Sequence, residues 1–487
     1  MKKLGRAFLV LSAGLSSALV VVAVASGSQA QVTQKALEAP RPAGAGKEVG
    51  LVEQVACASA KNCAALGGWL YTDLASKWKA GKVPVAAGTG GTNLRSLDCP
   101  AAGKCEAVGL AGLQHAVYAV ESGRQWTIGK VELPADAVPL DPPDGPAPFL
   151  VSVDCASVHN CVAVGGYDAA NRTARPLVVS ESDGAWGAGV EPQLPANADT
   201  SPDPNQPGLG GVLSYISCPA AGDCTAVGLY TNKDAGHGYY PWVLTESGGT
   251  WSAGTGALLP ADAAFQGDPE RGGSPFFGFD GLSCPSAGNC TAVGGYEDRN
   301  GGEQGLILTE RDGVWSRGVE APLPAKAVPN SEPNEFNSPL ASVSCSAPDD
   351  CAAVGWYVTK SEGTKHGLLL TERNGSWKAS ALVLPAQAKA SGGVFPASVS
   401  CPSRGNCAAA GYYASGGKTH GLIVRERGGK WQRGVDAALP KGAAPASRSH
   451  TFLNSVSCPS ASSCAAGGSY HDRSGKTQGL LLNVRLR

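Results

Sequence analysis

Ser283-Cys284-Pro285-Ser286-Ala287-Gly288-Asn289-Cys290-Thr291-Ala292-Val293-Gly294-Gly295-Tyr296 carries two cysteines with five residues between them, a turn-forming stretch inside the pair and a short apolar run after it. The same spacing recurs in Cys57 and Cys63, Cys99 and Cys105, Cys155 and Cys161, Cys218 and Cys224, Cys345 and Cys351, Cys401 and Cys407, and Cys458 and Cys464, so all 16 cysteines fall into eight equal pairs. Successive first cysteines lie 42, 56, 63, 66, 61, 56 and 57 residues apart, which makes the chain an internal repeat with variable insertions. Each repeat opens with an alternating run into the first cysteine, as in Leu340 to Cys345, and continues with a second run such as Cys290 to Tyr296. A third run follows a glycine, as in Gly367-Leu368-Leu369-Leu370-Thr371-Glu372, and a fourth begins at a tryptophan such as Trp315 and ends in Leu-Pro. Short runs bounded by Gly, Asn and Pro read as strands joined by hairpins, so each repeat is a four-stranded antiparallel meander.

A meander of this size cannot cover both of its faces, and neighbouring units must stack. Radial stacking predicts an all-β, eight-bladed β-propeller. The chain ends supply an independent check on closure. The last repeat stops at Arg487 without a tryptophan strand, while Gln31 to Pro40 aligns with Trp431 to Pro440 of the preceding repeat. The N-terminal strand is therefore expected to complete the last blade.

Gly (66) and Pro (34) make up about a fifth of the 487 residues, which disfavours long helices. Charged residues are only 16%, which disfavours a coiled coil or a charged disordered tail. Lys2, Lys3 and Arg6 precede an apolar run from Ala7 to Ala25, and Ser28-Gln29-Ala30 has the small-x-small form of a signal-peptidase site. Residues 1–30 read as a signal peptide cut after Ala30, with an uncleaved anchor as the alternative. Residues 31–487 read as one secreted propeller domain without a membrane span. Without the leader, 36 basic residues face 40 acidic ones, a balance that lacks the basic footprint of a nucleic-acid binder. An even cysteine count in an exported chain reads as disulfides between sequence neighbours. Zinc would need a histidine recurring beside each pair, and none does, so no metal is expected. Asp298 to Glu303 has the oxygen-rich, Gly-punctuated look of a calcium loop but also suits a plain hairpin turn, which is the favoured reading.

The repeated S-C-P-S-x-x-x-C-x-A-V-G-x-Y, followed by G-L-L-L-T-E and a Gly-x-Trp turn, resembles the secreted repeat proteins of high-GC Gram-positive bacteria described as β-propeller or sialidase-like. The resemblance covers the mature chain and implies the fold, with no settled activity. Ser180-Glu181-Ser182-Asp183-Gly184-Ala185-Trp186 is similar to the Asp-box hairpin of sialidases, but it is one residue shorter and has Ser182 in place of the first Asp. The sialidase ring, as that family implies, has six blades.

A residue repeated from blade to blade is most simply a part of the blade, since a catalytic group acts once. Glu121, Glu181, Glu246, Glu310, Glu372 and Glu426 share one position before the tryptophan turn and are expected to bond the hairpin that follows. Trp78, Trp126, Trp186, Trp251, Trp315, Trp377 and Trp431 read as packing anchors, and Tyr167, Tyr230, Tyr296, Tyr357, Tyr413 and Tyr470 also recur. With these set aside, no nucleophile elbow, metalloprotease helix or phosphate loop remains, and neither a catalytic residue nor a cofactor is indicated.

The blade-to-blade connections break the symmetry, and family geometry puts them around the channel mouth. Phe149, Phe395 and Phe452, each six residues before a first cysteine, read as plugs where inner strands begin. Phe265, Phe276, Phe277 and Phe279 gather around Asp268, Glu270 and Arg271 in one long connection, and Glu332, Glu335 and Phe336 occupy the next. Aromatics beside a few polar groups suit recognition, so these ten residues are the predicted contact surface. The expected function is a monomeric, non-catalytic extracellular module that binds a protein or glycan. A glycan-active enzyme with its site at the mouth and a structural envelope protein are the alternatives.

Overall fold

Every Cys-x5-Cys unit folds as an antiparallel meander, and the eight sheets close into a β-propeller. The computed structural model describes residues 32–42, 50–75, 77–112, 114–138, 148–201, 210–235, 238–264, 277–328, 339–359, 364–389, 391–445 and 448–486. Blade 5 shows the plan: an inner strand Phe277–Ser286, then Asn289–Glu297, Glu303–Arg311, and an outer strand in two pieces, Val314–Trp315 and Val319–Glu320. Inner strands pack on one another around the axis. The expected disulfides are all present, each joining sequence neighbours across the first hairpin of its blade with Cα atoms 4.0–4.1 Å apart.

Closure follows the permutation read from the sequence. Blade 8 takes Thr451–Ser460, Ser463–His471 and Thr477–Leu486 from the C-terminal end and Val32–Glu38 from the N-terminal end. Val32 lies opposite Leu486 and Leu37 opposite Leu481. The N-terminal strand is also sewn to blade 7: Gln34 Nε2 donates to the Asp436 carbonyl at 2.9 Å, and Gln34 Oε1 accepts from Ala438 N–H at 2.8 Å.

Side-chain alternation builds a core at each blade seam. The seven repeated tryptophans each pack against a different one of eight apolar clusters, which are dominated by Leu, Val and Ala. The glycine of the A-V-G run has a local cause. A bulge in the inner strand, between Phe279 and Gly281 in blade 5, drops a carbonyl onto the second strand. A Cβ on Gly294 would lie 1.9 Å from the Gly278 oxygen, and Gly165 and Gly355 face Phe149 and Pro339 oxygens at the same 1.9 Å. No other residue type fits there.

Hydroxyls on the inner strands hold the ring together near the channel. Ser96 Oγ accepts from Val153 N–H (3.1 Å), Ser217 from Cys284 N–H (3.1 Å), Ser344 from Cys401 N–H (3.0 Å), and Ser457 from Cys57 N–H (3.1 Å). Each such bond joins one blade to the next, which explains the S-x-S-C spelling of the repeat. The outer strands add a second set of ties. In blades 3, 4, 5 and 7 the strand breaks after the tryptophan and a glycine donates to the preceding blade: Gly189 to Glu132 O (2.7 Å), Gly254 to Gln193 O (2.8 Å), Gly318 to Leu258 O (2.6 Å) and Gly434 to Val383 O (2.8 Å). Blades 1 and 2 keep the glycine, as Gly81 and Gly129, inside continuous strands Trp78–Gly81 and Gln125–Lys130, and blade 6 has Ser380 there in a strand that runs from Ser376 to Ala381.

Candidate functional site: a rim groove and the channel wall

Of the predicted contact residues, Phe265, Asp268, Glu270, Arg271, Phe276, Glu332, Glu335 and Phe336 lie outside the described residues, and Phe277 is described only as backbone of its strand. Phe279 is 7% exposed and belongs to the apolar cluster between blades 4 and 5. It stands five residues before Cys284, where Leu150, Leu213, Leu340 and Leu453 stand before their own cysteines, all of them fully buried. The structure thus makes Phe279 a core residue of blade 5. Phe395 and Phe452 flank Tyr412, at centroid distances of 5.1 and 4.8 Å, while Arg95 lies over the Phe149 ring at 5.9 Å.

The repeated polar residues are structural. Tyrosine hydroxyls tie the second strand to rim segments: Tyr296 to Asp262 Oδ1 (3.2 Å), Tyr413 to Asp436 Oδ1 (2.8 Å), Tyr470 to Glu38 Oε2 (2.8 Å). The repeated glutamates are buried as expected of blade parts, but several of their partners differ from the expected hairpin. Arg311 of blade 5 donates through Nη2 to Glu372 Oε1 of blade 6 (2.9 Å), and Arg373 of blade 6 donates likewise to Glu426 of blade 7 (2.8 Å). Glu181 instead has His159 Nδ1 at 3.6 Å. Among the described residues Glu310 has no hydrogen-bond partner on either oxygen, and burial pushes its pKa up to about 7. Asp298 spends its carboxylate inside its own turn, accepting from Asn300 N–H, Gly302 N–H and Gln304 Nε2 at 2.7–3.0 Å. Among the described residues, no group of three His, Cys, Asp or Glu could hold a metal ion.

Against this regular background the seam between blades 6 and 7 opens into a groove of about 820 Å³. Leu369 and Thr371 form its floor, Ser376, Lys378 and Ser380 one wall, and Lys430, Trp431 and Gln432 the other. Trp431 Nε1 donates to Thr371 Oγ1 at 2.9 Å, fixing the indole across the seam. The seam between blades 2 and 3 is filled differently. There Tyr118 stacks on Trp186, with centroids 5.3 Å apart, and its ring takes the space above Gly129, where a Cβ would meet it at 2.2 Å. Leu369 and Ser380 stand at those two positions in blade 6, paired across the sheet as Tyr118 and Gly129 are. Blade 6 thus has an aliphatic where blade 2 has a tyrosine ring, and Trp431 lines the groove.

A second departure lies on the inner strands. The residue before the first cysteine is Ser217, Ser283, Ser344, Ser400 and Ser457 in blades 4 to 8, but Asp98 and Asp154 in blades 2 and 3. Both aspartates converge on one donor, since Cys155 N–H lies 3.0 Å from Asp98 Oδ2 and 3.2 Å from Asp154 Oδ1. Asp154 Oδ2 also accepts from Cys218 N–H at 2.5 Å. Burial, reinforced by the charge of Asp98, pushes Asp154 up to about 7, and burial raises Asp98 as well. Neither the acid pair nor the groove was singled out in the sequence. The signal for the pair is plain in hindsight: aspartate replaces serine at a repeated position in two adjacent blades.

No protein-family model matches the sequence, and the comparison with curated proteins gives no match. Solved structures with a similar fold include YCF48 bound to D1 peptide (10% identity, 93% of this chain and 97% of that chain, TM-score 0.40). They also include an Aleuria aurantia lectin mutant in complex with alpha-methyl-L-fucoside (13% identity, 68% and 90%, TM-score 0.33) and the Hadza microbial sialidase Hz136 (9% identity, 88% and 74%, TM-score 0.38). At these identities the likeness concerns the fold alone.

Proposed function

We propose that this chain is an exported, non-catalytic recognition propeller that seats its ligand in the rim groove between blades 6 and 7. The groove itself carries this reading. A cleft of about 820 Å³ lined by Trp431 and a few polar side chains has the size and lining of a small-ligand site. The residues lining it include no Asp, Glu or His to serve as a general acid or base. Export is supported by the eight disulfides and by the leader-like composition of residues 1–30. Among the described residues, no helix is long and apolar enough to cross a membrane.

The seam between blades 2 and 3 supplies a way to close the groove. Leu369→Tyr combined with Ser380→Gly reproduces the Tyr118 and Gly129 arrangement and fills the space over Trp431. On an array of glycans and peptides, the wild-type protein is expected to retain a defined ligand that the double variant loses, with thermal stability preserved. A ligand bound equally by both proteins would place recognition elsewhere and defeat the proposal.

The acid pair on the channel wall favours a second reading, hydrolysis of a glycan, because a carboxyl protonated near pH 7 beside another carboxylate is the pairing such chemistry uses. Asp98→Asn and Asp154→Asn decide between the readings. If the pair serves only to join blades, both variants leave every measured interaction with glycans unchanged. Glycan cleavage by the wild type that falls at least about a hundredfold in either variant would establish catalysis there.

A further inference from the structure

We infer that the groove between blades 6 and 7 selects a carboxylate-bearing oligosaccharide, an inference that rests on the recognition reading and adds the charge of its ligand. The outer strand of blade 6 alternates. Trp377 and Ala379 pack into the seam with blade 5, so Ser376, Lys378 and Ser380 project toward blade 7 and line the groove. The turn of blade 7 presents Lys430 from the opposite wall. No aspartate or glutamate lines the groove, although the chain as a whole carries slightly more acid than base. This cationic patch is local.

The three cations there are not equivalent. Arg373 is spent on the protein: Nη2 donates to Glu426 Oε1 (2.8 Å), while Nη1 donates to the Glu372 carbonyl (2.6 Å) and lies 3.3 Å from Asp350 Oδ2. The exposed ammonium groups of Lys378 and Lys430 have no hydrogen bond or ion pair among the described residues. Two unpaired positive charges on facing walls call for negative charge between them. Lysine offers a point charge without the planar fork of arginine, which suits carboxylates spaced along a flexible chain. Trp431 has its N–H committed to Thr371, so what it offers a ligand is ring face. The C–H face of a pyranose fits there, and a linear uronic-acid oligomer supplies both the ring and the repeated carboxylate. Neutral sugars would cover the indole but leave both ammonium groups partly desolvated without a partner, which disfavours them.

Titration calorimetry on the intact folded protein tests this with three probes: trigalacturonate, neutral galactotriose and inorganic phosphate. Trigalacturonate is expected to bind and to weaken by about tenfold or more when the salt is raised from about 0.05 to 0.5 M. Lys378→Gln and Lys430→Gln should each weaken it about fivefold to tenfold, with the melting temperature unchanged. Galactotriose and phosphate should neither bind comparably nor displace it. Galactotriose binding as tightly, and lost in the Leu369→Tyr/Ser380→Gly variant, would overturn the charge selectivity and leave the recognition reading standing. Displacement by phosphate would show a simple anion site and overturn the inference. So would absence of trigalacturonate binding, or binding indifferent to both lysines.

Discussion

A chain lacking residues 31–40 is expected to lose the closure of its ring and to melt about 5 °C or more below the intact protein. Val32–Glu38 is the whole outer strand of blade 8, paired through seven consecutive positions with the C-terminal strand. It also supplies Leu37 and Ala39 to the core between blades 8 and 1, and Val32 and Ala36 to the core between blades 7 and 8. Removing these apolar groups and several ladder hydrogen bonds forfeits on the order of 5 kcal/mol. The deletion also bares a strand edge beside Leu480, Leu481 and Leu482, all of them buried in the closed ring, so aggregation during unfolding should increase. Differential scanning calorimetry measures the shift. A peptide of residues 31–42 added in trans should recover part of it by rebuilding the sheet. An unchanged melting temperature in the deletion would mean that the N-terminal strand does not hold the ring.

The sequence makes this closure readable because strand order is a covalent property: a repeat missing its last quarter at one end and carrying it at the other can close only one way. The disulfides were readable for the same reason, since each loop is five residues long and lies within one hairpin. What resisted reading depends on the contact between separate repeats. Glu372 and Glu426 align perfectly with the other glutamates, yet the arginine that meets each belongs to the preceding blade, and nothing in a single repeat marks it. The groove is still less legible. It is lined by Leu369 and Thr371 of blade 6 together with Trp431 of blade 7, residues that no single repeat brings side by side. Phe279 shows the converse, a residue whose place was available from counting back to Cys284 and which composition alone made look like part of a contact loop. The acid pair likewise required the knowledge that the residue before each first cysteine faces its neighbour's backbone.

Raising the pH from 5 to 8 is expected to destabilise the protein, by an amount that one substitution should reduce. The ring buries carboxyl groups at its seams, and burial opposes their ionisation. Glu106, 5% exposed, is pushed up to about 8 by burial and by the neighbouring charge of Glu181, although Trp186 Nε1 donates to it at 3.3 Å. Glu310 rises to about 7 through burial, and Asp154 to about 7 through burial and the charge of Asp98. In each case the folded protein holds its proton more tightly than the unfolded chain. Stability from these groups is therefore complete below the ordinary carboxyl pKa, near 4.5 for Glu106, and is lost as the pH climbs through the folded value. Each unit between the two values is worth about 1.4 kcal/mol, so Glu106 alone forfeits on the order of 4 kcal/mol by pH 8, and the three groups together lower the melting temperature by about 10 °C. Asp472 runs the other way, held below the usual range first by the Ser474 hydroxyl, so any stability it contributes is lost as the pH falls. The position of Glu106, directly after a second cysteine, holds Ala, Val or Thr in the other blades, so no repeated role requires an acid there. Glu106→Gln keeps an oxygen to accept from Trp186 and removes the ionisation. The variant should match the wild type at pH 5 and melt about 4 °C higher at pH 8, the sign set by the raised pKa. A wild-type melting temperature that is flat or rising from pH 5 to 8, or a Glu106→Gln protein that melts lower at pH 8, would show that this carboxyl is ionised and stabilising in the folded ring.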